Sequence, residues 1–222
     1  MEFGALGDIH GDFATVRRIM RQHSAIPFWI CVGDVADASG GYESFERPLY
    51  WIKGNNENFD AIAAGDLPAG LHYLPNGTLK TIDGLRVAGL GGTFAPTMYE
   101  TPAAELPHPK KGSAKATELA DRRRHFVLEE VEACKQLTKV DIFLSHEAPR
   151  PFRVGAGGRG NDAGKTPINE ILAVMKPRLH LFGHHHRFAE MDVQGVRSVC
   201  LDLVSTSYLL IDAATLEYHV GL

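Results

Sequence analysis

The sequence predicts an α/β fold, and two observations support this prediction. The first third of the chain alternates short apolar strands with an amphipathic helix, and a later segment carries the turn signals of antiparallel hairpins. Several strand-like runs also end directly in a polar residue that can bind a metal ion. The 222 residues fit a single domain over 1–222, and the 44% of hydrophobic residues can fill a sizeable core.

The N-terminal elements follow from the spacing of apolar residues. Phe3–Leu6 predicts a strand, and residues 12–23 repeat apolar side chains at helical spacing. Further strands are expected at Phe28–Val32 and Leu49–Ile52, each followed by a glycine-containing turn. Between residues 71 and 92, an Asn-Gly and an Asp-Gly pair separate alternating runs, which predicts antiparallel hairpins.

Residues 94–113 are rich in proline and small side chains, and we expect a loop or small cap there. Phe94, Tyr99 and His108 are its candidates for covering a site. The other expected elements are a helix over about 114–137, a strand over Val140–Ser145, a helix capped at Thr166 with Pro167 in its first turn, a strand over Leu179–Phe182, and a β-rich segment over 189–220 with turns at Gly195 and Asp212.

Composition and charge narrow the class of protein. The net charge of -4 gives no reason to expect a surface that binds nucleic acid over the whole molecule, although a small basic groove stays possible. The three cysteines are expected to be buried, reduced thiols. Without a visible signal peptide or an apolar run of membrane-spanning length, we expect a cytoplasmic protein. The sequence leaves its oligomeric state open.

Five strand-like runs each end in residues that can bind a metal. Because the carboxyl ends of the strands line one edge of an open α/β sheet, these scattered residues are expected to form one site. The candidate ligands are Asp8, His10, Asp34, Asn55, His146, His184 and His186.

The mixture of imidazoles, carboxylates and one amide suits a borderline divalent ion, with Mn first and Fe, Ni, Zn or Mg as alternatives. Seven ligands exceed what one ion takes, but they suit two ions that share a carboxylate, clamp a phosphate and activate a water. His184 and His186 point the same way on an extended segment, whereas His185 points the opposite way. His185 is therefore either a loop residue or a substrate contact.

Five motifs, each after a strand, resemble those of the calcineurin-like metallophosphoesterase superfamily. They are GDIHG (7–11), GDVAD (33–37), GNNE (54–57), SHEAP (145–149) and GHHH (183–186). The resemblance implies a four-layer α/β/β/α sandwich with two mixed β-sheets and a two-metal phosphoesterase site. It also implies that one metal is bound by Asp8, His10 and His186, that the other is bound by Asn55, His146 and His184, and that Asp34 bridges the two.

The third motif departs from the family pattern at one position. Members with the best-known mechanism have Gly-Asn-His, whose histidine protonates the leaving group or holds a phosphate oxygen, and here Asn56 takes its place. Asparagine donates a hydrogen bond but supplies no proton, and general acid catalysis is typically worth about 10²–10⁴-fold. Asn55 and Asn56 are expected to steady the phosphate beside Asp34. This departure favours a phosphodiesterase over a phosphomonoesterase.

Two other features bear on the branch of the superfamily. The second motif lacks the Arg-Gly of protein Ser/Thr phosphatases and of their dinucleotide-tetraphosphatase relatives, which argues against both. The segments IKGNNE, FLSHEAP and KPRLHLFGHHH resemble the RNA lariat-debranching branch more loosely. The large C-terminal region of those enzymes is absent from this sequence.

Several residues outside the ligand set keep two interpretations. Arg150, Arg153, Arg159 and Lys165 either contact a substrate phosphate or are solvated surface residues. The run Arg122–Phe126 is either the solvated face of a helix or a basic lip for a nucleotide. Three acidic residues are candidates for orienting the ligands, with helix capping an equal alternative for the first: Asp12, Asp37 and Glu57.

The sequence thus predicts a hydrolase that acts on phosphoester bonds of a small phosphoester or nucleotide. The alternatives are a phosphomonoesterase for a small phosphorylated metabolite or nucleotide, and a catalytically weak member of the same fold that serves as a scaffold or binding protein. A P-loop nucleotide-binding protein is disfavoured, because in RGNDAGKT an arginine stands where the first glycine of that motif belongs.

Overall fold

The computed structural model describes residues 1–110, 120–154 and 160–222. The strands in these residues are β1 (Glu2–Leu6), β2 (Trp29–Cys31), β3 (Leu49–Trp51), β4 (Leu71–Tyr73), β5 (Leu79–Ile82), β6 (Leu85–Leu90), β7 (Thr93–Phe94), β8 (His125–Phe126), β9 (Ile142–Ser145), β10 (Leu179–Phe182), β11 (Ala189–Val193), β12 (Val196–Cys200), β13 (Tyr208–Asp212) and β14 (Tyr218–Gly221). The helices are α1 (Phe13–Gln22), α2 (Phe59–Ala64), α3 (Leu128–Lys135) and α4 (Thr166–Met175), with 3₁₀ turns at Ala103–Glu105 and Arg122–Arg124.

The first sheet has the order β14-β13-β1-β2-β3-β4. β1, β2, β3 and β4 are parallel, and β13 and β14 pair antiparallel at the side of β1. In register, Leu6 lies opposite Cys31, which lies opposite Trp51. The carboxyl ends of β1, β2 and β3 therefore reach the same edge of the sheet.

The second sheet has the order β11-β12-β10-β9-β6-β5. Its four central strands are parallel, and β11 and β5 pair antiparallel at the two sides. Ser145, the last residue of β9, lies between Leu90 of β6 and Phe182 of β10. The loops that follow β9 and β10 therefore begin at one edge.

The apolar residues form a layer on each side of each sheet. Because side chains alternate along a strand, Ile30 of β2 faces the core between the two sheets, whereas Trp29 and Cys31 face the core under α1. A third core lies between the second sheet and the helices α3 and α4. The order of layers is helix, sheet, sheet, helix, which confirms the predicted four-layer sandwich.

The helix expected over 114–137 is wrong in the part that the structure describes. Residues 122–124 form a 3₁₀ turn, His125–Phe126 form β8, and α3 begins only at Leu128. β8 pairs in parallel with β7, and Phe126 is fully buried in the third core. This long-range pairing overrides the local helical preference of the run. Residues 114–119 lie outside the described residues.

The hairpins expected over 71–92 are correct at one turn and wrong at the other. Asp83 and Gly84 join β5 and β6 as an antiparallel hairpin. By contrast, Asn76 and Gly77 lie where the chain crosses from β4 in the first sheet to β5 in the second. The Asn76 side chain donates to the Gly91 carbonyl at 3.1 Å and accepts from the Gly91 amide at 2.7 Å, so it links this crossing to the end of β6.

Most other elements agree with the sequence prediction within one or two residues. α4 begins at Thr166 with Pro167 in its first turn, although Lys165 occupies the capping position and makes no side-chain capping bond. The three cysteines are free and buried, as expected. Among the helices in the described ranges, none is both long and apolar enough to cross a membrane.

Candidate metal centre

The predicted ligands converge on the edge where the carboxyl ends of the parallel strands meet. They lie in the loops that follow β1, β2, β3, β9 and β10. Four of them adopt a left-handed backbone, with φ of 47° at His10, 50° at Asp34, 69° at His184 and 46° at His186. This conformation costs a non-glycine residue about 1–2 kcal/mol, and such strain collects at functional sites. The backbone of these loops therefore serves to aim the side chains.

The first cluster contains Asp8, His10 and His186, whose ligand atoms lie within 4.8 Å of one another. His186 Nε2 is 3.1 Å from Asp8 Oδ2 and 3.2 Å from His10 Nε2. The buried Asp8 carboxylate also accepts the His184 amide at 2.9 Å. Burial opposes ionisation of Asp8, but the His186 hydrogen bond and the nearby His146 imidazole lower its pKa below the usual value. The cluster therefore presents one carboxylate and two imidazoles to a common point.

The second cluster contains Asp34, His146 and His184, again within 4.8 Å. His146 is fully buried, and its Nδ1 donates to the Val32 carbonyl at 2.8 Å. This bond fixes the tautomer, so the lone pair of Nε2 faces the cluster. Asn55 Oδ1 lies 3.1 Å from the same Nε2. Burial opposes protonation of His146, but the carboxylates of Asp34 and Asp8 raise its pKa.

Asp34 lies between the two clusters. Its Oδ2 is 3.6 Å from His10 Nε2 and 3.6 Å from His146 Nε2. The backbone amide of Asn56 donates to Oδ1 at 2.8 Å, and the Asn56 side-chain amide donates to Oδ2 at 2.9 Å. One carboxylate oxygen therefore faces an imidazole from each cluster, while two hydrogen bonds hold the carboxylate in place.

Two glycines leave room for these carboxylates. A Cβ at Gly54 would lie 2.0 Å from Asp34 Oδ1, and a Cβ at Gly183 would lie 2.4 Å from Asp8 Oδ1. Any side chain at either position would displace a carboxylate.

The donor atoms are all imidazole nitrogens and carboxylate or amide oxygens, the set that borderline divalent ions prefer. The residues present therefore fit two divalent ions.

Glu57 connects the loops that carry Asp34 and Asn55. Its carboxylate accepts the backbone amides of Val35, Ala36 and Gly54 at 3.0, 3.3 and 3.2 Å. It also accepts the Tyr42 hydroxyl at 2.9 Å. Burial raises the pKa of Glu57 to about 7. Glu57 thus orients the loops, as one interpretation of the sequence had it.

The other two acidic candidates have local structural contacts. Asp12 caps α1, because its Oδ1 accepts the Thr15 amide at 3.1 Å. Asp37 Oδ1 accepts the amides of Ser39 and Gly41, both at 2.8 Å, and the Ser39 hydroxyl at 2.7 Å. Asp12 therefore stabilises the start of a helix, and Asp37 stabilises its own turn.

Two buried charged residues beside the centre were not singled out in the sequence as neighbours of the ligands. Lys53 is 8% exposed, and its Nζ donates to the carbonyls of Arg123 and His125 at 3.0 and 3.2 Å. Glu147 is 3% exposed and accepts the Phe94 amide at 3.1 Å. Lys53 directly precedes the motif GNNE, and Glu147 lies within the motif SHEAP. Their positions in the sequence were therefore a signal that could have identified them. They link the site to β7 and β8.

The predicted substrate contacts are more scattered. The ring of His185 lies 4.7 Å from that of Phe152, and burial lowers the pKa of His185 to about 4. Arg150 Nε donates to Asp162 Oδ2 at 2.8 Å, and Lys165 Nζ lies 3.8 Å from Glu147 Oε2. Arg159 lies outside the described residues.

The proposed cap and the basic run also have contacts within the described chain. The Phe94 and Tyr99 rings pack against Phe126 in the third core. Arg123, in the run predicted to be a helix face or a basic lip, pairs with Asp60 at 2.8 Å and with Asp121 at 2.6 Å. The charge of Arg123 is therefore neutralised by protein carboxylates.

The family model described as calcineurin-like phosphoesterase matches residues 1–188, and the chain belongs to this family. Among curated relatives, the lariat debranching enzyme of Schizosaccharomyces pombe is 28% identical over 203 residues, which cover 80% of this chain and 42% of that one. The lariat debranching enzyme of Entamoeba histolytica is 24% identical over 227 residues, 82% of this chain and 62% of that one. The chain thus spans about half the length of these relatives.

Solved structures with the same fold include TT1561 of Thermus thermophilus, with a TM-score of 0.65 at 14% identity over 99% of this chain and 97% of that one. A dimetal phosphatase from Danio rerio has a TM-score of 0.53 at 12% identity, over 99% of this chain and 98% of that one. At these identities the likeness concerns the fold alone.

Proposed function

We propose that the protein is a dinuclear metallophosphoesterase, and that it hydrolyses phosphodiesters in preference to phosphomonoesters. The observation that carries this proposal is the position of Asp34, whose Oδ2 lies 3.6 Å from an imidazole of each cluster. A single carboxylate oxygen in this position suits a ligand shared by two ions. Membership of the calcineurin-like phosphoesterase family supports the same chemistry.

In this proposal Asp8, His10 and His186 hold one ion, and Asn55, His146 and His184 hold the other. Asp34 belongs to both. When bound, two divalent ions neutralise phosphate oxygens and lower the pKa of a water molecule that attacks phosphorus. Manganese is our first choice because the donors are mixed imidazole and carboxylate, and Fe, Ni, Zn and Mg remain alternatives.

The chain's own residues position these groups. His146 keeps its Nε2 lone pair toward the cluster because its Nδ1 donates to the Val32 carbonyl. The left-handed backbone of His184 and His186 turns both rings toward Asp8 and Asp34. Because these histidine rings are held in fixed directions, less entropy is lost when the substrate is aligned.

The proposed preference for diesters rests on Asn56, because a phosphomonoester reacts through a looser transition state and depends more strongly on a proton donor. Its side-chain amide donates to Asp34, and an amide supplies no proton to a departing alkoxide. The rate then depends on a leaving group that needs little protonation. We further propose that residues 1–222 act as one catalytic domain on a small phosphoester or nucleotide, with a small cap or loop at about 94–113, of which 111–113 lie outside the described residues.

The test compares bis-p-nitrophenyl phosphate with p-nitrophenyl phosphate after chelation and addition of Mn, Ni, Zn or Mg. We expect metal-dependent turnover, faster for the diester and lost in His146→Ala. His72→Ala is the matched control because His72 is an exposed residue on β4. If neither compound is hydrolysed while two ions are bound, the proposal is wrong and a scaffold role gains support.

A further inference from the structure

A cavity of about 450 Å³ opens beside the candidate metal centre. His10, Asn55 and Asn56 form the wall that it shares with the centre, so it borders a residue from each cluster of proposed ligands. The turn that follows Asp34 also lines the cavity, through Asp37 and the small residues Ala36, Ala38 and Gly40. The volume falls within the range of small-molecule sites. A substituent of a phosphate bound at the centre would extend into this space.

The cavity wall carries two carboxylates. Asp37 and Glu57 both line it, and the described residues around it include no lysine or arginine. Hydrogen bonds from the Ser39 hydroxyl, and then from the Gly41 and Ser39 amides, hold the pKa of Asp37 below its usual value. The Asp37 carboxylate is therefore ionised at neutral pH.

Only one oxygen of Asp37 is needed for the turn. The three hydrogen bonds from Ser39 and Gly41 all reach Oδ1. The described chain provides no hydrogen-bond donor to Oδ2. The Glu57 carboxylate differs, since both of its oxygens accept bonds from the surrounding loops. Asp37 thus carries a negative charge that has hydrogen-bond donors at Oδ1 but no cationic partner among the described residues that line the cavity.

Positively charged side chains lie elsewhere around the centre. Lys165 lies beside Glu147, and the guanidinium of Arg187 lies over the Phe152 ring at 5.6 Å. Arg187 directly follows the proposed ligand His186. The Lys165 charge is paired with Glu147, whereas the acidic side chains of the cavity wall have no Lys or Arg beside them among its described lining residues.

We propose that this cavity binds the alcohol substituent of the phosphoester substrate, and that Asp37 selects substituents that carry no second anionic group. The inference rests on the proposed phosphoesterase function and names the class of substrate for that site. Like charges brought close together oppose binding, so the Asp37 carboxylate in the wall discriminates against phosphorylated alcohols. Hydroxyl-bearing neutral or cationic alcohols fit the same wall.

The test uses two symmetric dialkyl phosphates as competitive inhibitors of the metal-dependent hydrolysis of bis-p-nitrophenyl phosphate. They are bis(2-hydroxyethyl) phosphate and bis(2-sulfoethyl) phosphate. Because each inhibitor is symmetric, either orientation places the same group in the cavity. Sulfonate supplies the second negative charge but binds metal ions more weakly than a phosphate does.

Asp37→Asn removes the charge and keeps an Oδ1 acceptor for the turn. Asp192→Asn is its matched control, since exposed Asp192 also uses Oδ1 to accept the Gly195 amide in the β11–β12 hairpin. We expect the hydroxyethyl compound to bind up to about tenfold more tightly than the sulfoethyl compound. This ratio should fall severalfold in Asp37→Asn and stay unchanged in Asp192→Asn.

Equal or tighter binding of the sulfoethyl compound to the unaltered protein would overturn the inference. An identical ratio in Asp37→Asn and the unaltered protein would do the same. Failure of the proposed function is read separately, as the absence of metal-dependent turnover of bis-p-nitrophenyl phosphate before any inhibitor is added.

Discussion

Asn56 donates two hydrogen bonds to Asp34, one from its backbone amide to Oδ1 at 2.8 Å and one from its side chain to Oδ2 at 2.9 Å. The residue that replaces the family's histidine is thus engaged with the carboxylate between the two clusters. Its amide orients that carboxylate, and it has no proton to give to a leaving group. Asn56 therefore holds the Asp34 carboxylate in a fixed orientation, although the motif GNNE provides no general acid.

Replacing Asn56 with histidine should make the reaction less dependent on the leaving group. Without an acid, aryl diesters whose phenols have low pKa should react much faster than those with high pKa. Asn56→His should raise kcat/KM for the poorest leaving groups, by up to about 10²-fold. The measurement is kcat/KM across a series of substituted aryl diesters. Asn56→Ala is the control, because it loses the bond to Asp34 and gains no acid.

Should Asn56→His and Asn56→Ala show the same dependence on the leaving group as the unaltered protein, proton supply at this position would be irrelevant. The account of the diester preference would then be wrong.

Glu57→Gln should weaken metal binding because it disconnects two loops. The carboxylate accepts four donors, and an amide nitrogen in place of one oxygen would face donors instead of accepting them. We expect an affinity for Mn²⁺ about 10–100-fold lower, the usual effect of losing a residue that orients ligands. Unfolding should become easier by about 1–3 kcal/mol. Isothermal titration and urea unfolding measure the two effects.

Glu129→Gln provides the comparison, because exposed Glu129 also accepts a backbone amide, that of Ala103 at 2.8 Å. Unaltered Mn²⁺ affinity in Glu57→Gln would show that Glu57 does not position the ligands.

His180 makes stability depend on pH. It is fully buried in β10, its Nε2 lies 2.8 Å from Ser145 Oγ, and its Nδ1 lies 3.1 Å from Ser198 Oγ. Burial lowers its pKa from 6.5 to about 3. Below pH 6.5 the unfolded chain binds a proton that the folded protein does not, so the free energy of unfolding falls as pH falls toward 3.

The predicted loss from His180 is roughly 1 kcal/mol per pH unit within that window. Urea unfolding between pH 7.5 and 4.5, with chelator present, measures the slope. His180→Gln keeps a polar side chain but does not titrate. The slope of its unfolding free energy against pH should therefore be lower by the equivalent of about one bound proton. Equal slopes for the two proteins would mean that His180 is protonated in the folded state.

The strand pattern predicted an α/β fold and the convergence of the ligands, and the resemblance to the family supplied the four layers. Five of the parallel strands are short apolar runs with a predicted ligand shortly after their carboxyl end, as Asp34 comes soon after β2 and His146 directly follows β9. Because the carboxyl ends of parallel strands share an edge, order along the chain becomes proximity in space. Strand ends therefore predict the site even though no local signal describes its geometry.

Long-range contacts could not be predicted in the same way. The run at 122–127 has a local pattern compatible with a helix, but pairing with β7 and the burial of Phe126 make His125–Phe126 a strand. Asn76–Gly77 has the composition of a hairpin turn, yet Asn76 bonds to Gly91 and the chain changes sheet there. In both cases the partner lies far along the sequence, and propensity alone does not identify it.

Electron paramagnetic resonance of the Mn²⁺-loaded protein distinguishes two ions that share Asp34 from ions bound separately. After two equivalents of Mn²⁺ are bound, the account predicts the signal of an exchange-coupled pair, together with turnover of bis-p-nitrophenyl phosphate. Asp34→Asn should abolish the coupling. A signal from isolated Mn²⁺ ions alone, or binding of a single equivalent, would contradict the shared carboxylate and the dinuclear site with it.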